Sequence, residues 1–320
     1  MTSKLDIAIV MDPISQIKPY KDTTLALMLA AQSSGHRLIY IEMENLFLDQ
    51  GVAKALGQHI TVYDDNNTWY KLDNEQEFEL GNINALLMRK DPPFDSQFIY
   101  ATYILEHALK QGCLVVNHPR SLRDCNEKVF ATQFPQCCPP VLVSRNRMLL
   151  KAFHEKHKDV IFKPLDGMGG SKIFRAKNDD PNVSVIIETL TCYESEYIMA
   201  QKFIPEITQG DKRVLVVNGE AIPYSLARIP ADGETRGNIA AGGRGVPQPL
   251  TDRDKWIVEQ VAPTLIEKGL LFVGLDIIGD YLTEINVTSP TCAREIDKAY
   301  NTKIGDKLIH AIEQQLQGTH

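Results

Sequence analysis

The chain lacks most of the short signatures that announce a chemistry. Its six cysteines (113, 125, 137, 138, 192 and 292) form no C-x-x-C pair, and its eight histidines form no H-x-x-x-H or other ligand spacing. Neither a zinc ribbon nor a zincin site is therefore written in it. The first half has no G-x-G-x-x-G, which excludes the dinucleotide fingerprint, and G-x-x-x-x-G-K-[ST] is absent throughout. No apolar run approaches eighteen residues, and Met1–Lys4 leads only into a short apolar stretch interrupted by Asp6, Asp12 and Pro13. That pattern predicts no membrane span and no signal peptide. Ser289 has no His/Asp companions for nucleophilic chemistry, and Cys137-Cys138 has no catalytic context. Scattered cysteines point to buried thiols in a reducing cytoplasm. With a net charge of −7, nothing draws the chain generally to nucleic acid or anionic lipid. Any anionic substrate must be met by local lysines and arginines.

What is present is an ordinary soluble composition, 43% hydrophobic and 23% charged, over 320 residues, long enough for two domains. Apolar strand patterns at Leu5–Met11, Arg37–Glu42, Ala85–Met88 and Cys113–Asn117 alternate with helical ones at Thr24–Gln32 and Ser96–Lys110. The first helix has Asp22 and Thr23 as caps, and Gly35 and Gly112 follow the two helix ends. This order predicts a Rossmann-like parallel sheet covered on both faces, over residues 1–124. From Ser121–Lys128 onward the pattern becomes α+β, and residues 125–316 form the second unit. Strands are expected at Asp159–Pro164, Ser171–Lys177 and Tyr197–Ile204, and a hairpin at Arg213–Val217 and Ala221–Arg228 around Asn218-Gly219. Helices are expected at Pro181–Leu190, Leu250–Lys268 and Lys303–Leu316. His154 and His157 are placed on an exposed helix.

The most informative stretch is Val273–Pro290, VGLDIIGDYLTEINVTSP. Alternation puts Val273, Leu275 and Ile277 on one face and Asp276 on the other; Ile285 and Val287 oppose Glu284 and Asn286. If both apolar faces meet one core, the three oxygen-bearing side chains share the opposite face. Such ligands suit a hard cation like Mg²⁺. A regular two-residue Gly279-Asp280 turn would put Asp276 opposite the wrong face, so the pattern demands an odd loop or a bulge. The plain alternative is an amphipathic hairpin with polar residues outward.

Three further segments carry polar groups in suggestive places. Lys163 ends an apolar strand before the loop DGMGG, whose backbone N–H groups can approach phosphate; the alternative is a turn that merely needs positive φ. A two-residue Asn218-Gly219 turn pairs Arg213 with Tyr224 and puts Asp211, Arg213 and Arg228 on one side. The two arginines would then stand roughly 13 Å apart along the ladder, able to grip different ends of an extended anion. A solvated charged face is the alternative. Ala231–Val246, with five glycines and with Arg236 and Arg244, reads as a mobile lid or as a flexible connection.

The order of these segments resembles the ATP-grasp superfamily of carboxylate–amine ligases, and within it the bacterial glutathione synthetase family, along essentially the whole chain. The stretches that carry the resemblance are MRKDPPFD (88–95), PRSLRDCNEK (119–128), KPLDGMGG (163–170), DKRVLVV (211–217), AAGGRG (240–245) and VGLDIIGDYLTEINVTSPTC (273–292). The resemblance implies a pre-ATP-grasp domain followed by an ATP-grasp domain with a glycine-rich lid. It implies that Lys128 and Lys163 reach the ATP phosphates, under a loop containing Gly167, Gly169 and Gly170. The strand with Met199, Gln201, Phe203 and Ile204 would lie beside adenine, with Asp211 also on the nucleotide. Asp276, Glu284 and Asn286 would hold Mg²⁺, with Mn²⁺ as the alternative metal. Arg213 and Arg228 would be catalytic, facing an acyl phosphate. Asn286, Ser289 and Arg294, with Arg236 and Arg244 of the lid, would meet the substrate carboxylates. The implied reaction joins γ-glutamylcysteine and glycine, with ATP as co-substrate, in a cytoplasmic homotetramer. Another ATP-grasp ligase, or an ATP-binding regulatory module without turnover, stays open beside it.

Overall fold

The computed structural model describes residues 4–167, 170–231, 233 and 242–318. Its first sheet is built from β1 (Asp6–Met11), β2 (Arg37–Glu42), β3 (Leu46–Asp49), β4 (Val52–Val62), β5 (Tyr70–Glu79), β6 (Ala85–Met88) and β7 (Leu114–Val116). Strands β2-β1-β6-β7 are mutually parallel. Along β1, Ala8 and Val10 enter one apolar cluster and Ile7, Ile9 and Met11 the other, so both faces are buried. Helices α1 (Thr23–Ser33) and α2 (Ser96–Lys110) cover them, and the side chains of Asp22 and Asp95 cap their first turns. Each fully buried Ile or Leu of this kind contributes about 1.5–3 kcal/mol.

The expected parallel sheet is only part of what forms. Long β4 runs antiparallel to β2 and β3 on one edge and to β5 on the other. Strand β5, YKLDNEQEFE, is largely exposed and charged at alternate positions; only Tyr70, Leu72 and Phe78 pack partly buried against the core, with Asn74 and Gln76 interrupting that face, so the apolar alternation is too weak to mark it.

Helix α3 (Pro119–Asp124) closes this region, and α4 (Glu127–Ala131) opens the next. A four-stranded antiparallel sheet follows, from β8 (Val141–Ser144), β9 (Val160–Pro164), β10 (Phe174–Ala176) and β11 (Ile198–Lys202), in the order β10-β9-β11-β8. Helices α5 (Arg147–His157) and α6 (Val183–Leu190) cover it, giving a small separate core around Leu150, Phe162 and Ile187. His154 is buried there against the Lys177 carbonyl rather than exposed.

The third sheet, also antiparallel, runs β14-β13-β12-β15-β16, from β12 (Asp211–Val217), β13 (Glu220–Ile229), β14 (Arg244–Pro249), β15 (Phe272–Ile278) and β16 (Tyr281–Asn286). Helix α7 (Asp252–Glu267) begins in a Thr251/Asp254 capping box and continues past Pro263; α8 (Ala293–Tyr300) and α9 (Ile304–Gly318) complete the chain. Buried Asn117, just past β7, stitches the first sheet to the third: its amide donates to the carbonyls of Phe272 and Val287 and accepts from Phe272 N–H.

Candidate active site

The β15–β16 hairpin has both a two-residue turn and a bulge. Ile278 pairs with Tyr281 and Ile277 with Leu282, after which the register shifts and Asp276 pairs with Glu284 and Gly274 with Asn286. Thr283 is the extra residue, and its hydroxyl donates to the Asp276 carbonyl at 3.1 Å. The bulge that the pattern demands thus turns Asp276, Glu284 and Asn286 to one face while Leu275, Leu282 and Ile285 stay in the core.

The neighbouring β12–β13 hairpin departs from expectation. Its Asn218-Gly219 turn forms, with φ of 50° and 79°. The ladder then slips by two residues, so Arg213 pairs with Leu226, not Tyr224, and Asp211 pairs with Arg228. An even slip keeps Asp211, Arg213 and Arg228 on one side but brings the arginines closer. They do not reach different ends of a long anion here. Arg213 Nε donates to Asp276 at 2.6 Å, and Arg228 Nη2 reaches the other oxygen of Asp276 at 2.9 Å and Asp211 at 2.5 Å. Gly274 makes room for this, because a Cβ there would stand 2.9 Å from both Arg213 Cδ and Pro290 Cβ.

Across the cleft, Asn126 caps α4 and orients Lys128, which is buried and donates to the Gly167 carbonyl at 3.1 Å. Lys128 also pairs with Glu127 and approaches Glu284 at 3.7 Å. Lys163, at the end of β9, reaches Glu284 at 3.4 Å. Lys128, Lys163, Arg213 and Arg228 thus meet Glu127, Asp211, Asp276 and Glu284, four charges of each sign.

Burial pushes the Asp276 carboxyl up, but Arg213 and Arg228 outweigh it and hold the group well below the usual carboxylate range. Burial pushes Asp211 up to about 7, with Asp276 and Glu284 opposing the pull of Arg228. Glu127 is raised by burial and by Glu284. Burial works against the charge of Lys128, yet Glu284 and Glu127 keep it above the ordinary lysine value.

These groups line a cleft of about 680 Å³, the size of a ligand site. One end is apolar, with Ile161, Ile173, Phe203, Ile204 and Ile207; the far end is charged, with Lys18, Lys21, Asp22 and Glu295. Gly167, Gly170, Gln201 and Ser289 line it as well. Ser289 is tied back, its hydroxyl donating to the Arg89 carbonyl.

Three expected residues lie elsewhere. Met199 is in the ladder between β8 and β9, opposite Lys163 and in the same alternation phase as Gln201, but it is buried and does not line the cleft. Arg294, in the first turn of α8, pairs with Asp64 and does not line the cleft. Arg244 is not in a loop: it is an exposed residue of β14, paired with Ile229, so the last three residues of the expected lid are strand. Gly169, Arg236 and most of the 231–246 lid lie outside the described residues. The sequence reading misses Glu127, Lys18, Lys21 and Glu295, none of which has a motif of its own, and it misses Arg89. Arg89 ends the β6 segment inside MRKDPPFD, donates to Thr24 and to the Pro290 carbonyl, and is held at about 10 by burial. A buried strand end preceding a double proline is the signal that could have flagged it.

Family models agree with this layout. The prokaryotic glutathione synthetase N-terminal domain matches residues 5–123, and the prokaryotic glutathione synthetase ATP-grasp domain matches residues 127–301. A Pseudomonas aeruginosa glutathione synthetase is 59% identical over 310 residues, covering 97% of this chain and 98% of that protein. A Vibrio cholerae glutathione synthetase is 59% identical over 315 residues, covering 98% and 99%. Among solved structures, D-cycloserine synthetase DcsG superposes with a TM-score of 0.69 at 12% identity, over 97% of this chain and 99% of that one. D-alanyl-alanine synthetase A from Vibrio cholerae gives 0.58 at 14% identity, over 99% of each chain; these two likenesses concern fold alone. With both family domains in order and near-complete relatives at this identity, the chain belongs to the prokaryotic glutathione synthetase family, an N-terminal domain joined to an ATP-grasp domain.

Proposed function

We propose that the protein forms the peptide bond between γ-glutamylcysteine and glycine, using ATP and releasing ADP and phosphate. The observation that carries this reading is the convergence of Lys128, Lys163, Arg213 and Arg228 on one cleft, in a chain of this family. A carboxylate resists amines because its own charge shields the carbonyl carbon. Attack of the carboxylate oxygen on the γ-phosphorus breaks the bond to ADP and yields an acyl phosphate. Glycine's amine then adds at the carbonyl carbon, loses a proton, and phosphate departs with its oxygen. Lys128 and Lys163 offset charge as the phosphoryl group moves, and Arg213 and Arg228 face the acyl phosphate and the tetrahedral adduct. Positioning and electrostatics suffice, with no covalent step on the protein.

A divalent cation fits the residues present. The carboxylates of Asp276 and Glu284 and the amide of Asn286 share one face, and Lys128, Lys163, Arg213 and Arg228 are already matched by the carboxylates beside them. A triphosphate entering alone would therefore leave uncompensated charge. Glu284 and Asn286 are the readier ligands: among the described residues Glu284 is held only by the longer lysine contacts, and Asn286 uses its amide N–H on the Gly274 carbonyl, so its oxygen is the atom suited to a cation. Asp276 would have to share its carboxylate with Arg213 and Arg228. Held by these residues, Mg²⁺ would supply positive charge against the nucleotide phosphates. Assembly as a cytoplasmic homotetramer belongs to the same proposal; sedimentation of the purified protein tests the assembly.

Phosphate release from Mg²⁺ and ATP, with γ-glutamylcysteine and glycine together and each omitted, tests the reading. Release that needs the dipeptide, with glutathione appearing only when glycine is added, is the expected result. Release with a different carboxylate would replace the substrates, and ATP binding with no release for any pair would replace the enzyme by a regulatory module.

A further inference from the structure

At the apolar end of the cleft, three residues outside the charge network form a closed unit. Arg175 of β10 makes a two-point contact with Asp159, Nε to Oδ1 at 2.9 Å and Nη2 to Oδ2 at 2.6 Å. The same guanidinium lies over the Phe203 ring, with Cζ 3.4 Å from its centroid. The Asp159 carbonyl accepts from Phe203 N–H at 2.9 Å. Asp159 thus holds the backbone of Phe203 and, through Arg175, its ring. We propose that Arg175 and Asp159 are positioning residues for the nucleotide base, acting through Phe203. This rests on the reading that the cleft binds ATP.

Successive N–H groups of an extended chain point to opposite sides. Phe203 N–H points to Asp159, and Ile204, extended with φ −111°, points the other way, on the stretch that lines the cleft. An N–H held there suits N1 of a 6-aminopurine, which accepts, and clashes with N1–H of guanine, which donates. An exposed ion pair alone contributes little, and Arg175 and Asp159 are both partly exposed. The stack is what gives the pair a target. A flat guanidinium covers a ring and forks onto a carboxylate at once, which an ammonium cannot do.

Calorimetric titration with ATP and with GTP, beside steady-state turnover, tests this on the full chain. Arg175→Ala is expected to bind ATP about tenfold more weakly, with a smaller ATP-over-GTP preference and kcat at saturating ATP within about twofold. Arg175→Lys keeps the charge without the flat face and recovers only part of the loss. Phe203→Leu with Arg175→Ala should be no worse than Phe203→Leu alone. Unchanged ATP affinity in a folded Arg175→Ala protein, additive losses in the double variant, or a fall in kcat alone would overturn the assignment. Wild-type protein that binds ATP but ligates nothing would overturn the ligase reading and leave the clamp standing; wild-type protein that binds neither nucleotide would overturn both.

Discussion

The two hairpins of the third sheet both turn on two residues and both carry a bulge, yet they treat the faces of the sheet differently. In β15–β16 one extra residue, Thr283, exchanges the faces, and the exchange brings Asp276, Glu284 and Asn286 together. In β12–β13 the register slips by two between Val214 and Val216, the faces are preserved, and Asp211, Arg213 and Arg228 stay together. Strand side chains alternate with period two, so only an odd insertion swaps core for cleft. The first hairpin is built by breaking the alternation and the second by keeping it. Their aspartates also diverge: Asp276, between two arginines, is held low, while Asp211, with the weaker compensation, is driven up to about 7.

Deletions break this comparison most severely. Removing Thr283 takes out the bulge together with its odd residue, so Leu282 and Ile285 stay in the core and Glu284 and Asn286 stay opposite Asp276 and Gly274; that variant should fold and keep measurable turnover. Removing Ile222 and Pro223 together keeps the faces. That variant should likewise retain measurable turnover while losing about 2–5 kcal/mol for the buried Ile222, whereas deleting Pro223 alone leaves an odd slip, turns Arg228 away from the cleft and should abolish turnover. Equal losses in all three would refute the parity argument. Glu284→Ala should lower turnover by at least ~10³-fold while keeping the wild-type circular dichroism spectrum, because its lysine contacts, at 3.7 and 3.4 Å, are long. Unchanged activity would falsify its place at the metal. Arg213→Met leaves Asp276 buried with a single guanidinium and should cost about 3–5 kcal/mol in urea unfolding.

The aspartates give the comparison a pH axis. A folded-state pKa raised to about 7, against an unfolded value of about 3.9, means folded Asp211 binds more protons between them. Its contribution to stability is full below about pH 4 and is lost as pH rises through 7. The contribution of Asp276 is present above about pH 4 and lost on further acidification. In metal-free protein, urea midpoints of wild type should therefore fall relative to Asp211→Asn between about pH 5 and pH 8. Parallel curves would contradict the assignment. The smallest effect is Thr283→Val, which removes the hydroxyl bond to the Asp276 carbonyl and should cost about 1 kcal/mol without moving the register.

Legibility in the sequence followed the same division. The odd bulge leaves a trace, because Leu282 and Ile285 are both core residues three apart, where an unbroken strand would space them by two or four. The even slip leaves none: Arg213 and Arg228 fall on the right face whether their ladder is regular or slipped, so their separation could not be read. Helices α1 and α2 were legible from caps and period. Strands β3 to β5 were not, since only one side of that ribbon meets the core and Tyr70–Glu79 shows almost no burial to encode. Met199 and Gln201 share an alternation phase, yet only Gln201 lines the cleft, a distinction set by where the strand ends rather than by residue type. Arg89 and Glu127 depend on elements far apart in sequence: Arg89 becomes visible when the end of β6 meets α1 and the segment after β16, and Glu127 when α4 meets β16.

The central claim is that the γ-phosphoryl group activates the substrate carboxylate. γ-Glutamylcysteine labelled with oxygen-18 in its cysteinyl carboxylate, turned over with ATP and glycine, tests it directly. Transfer of one labelled oxygen to each phosphate released, with none in ADP, is the predicted result. Phosphate carrying no label while glutathione forms would contradict the acyl phosphate and the roles given to Lys128, Lys163, Arg213 and Arg228.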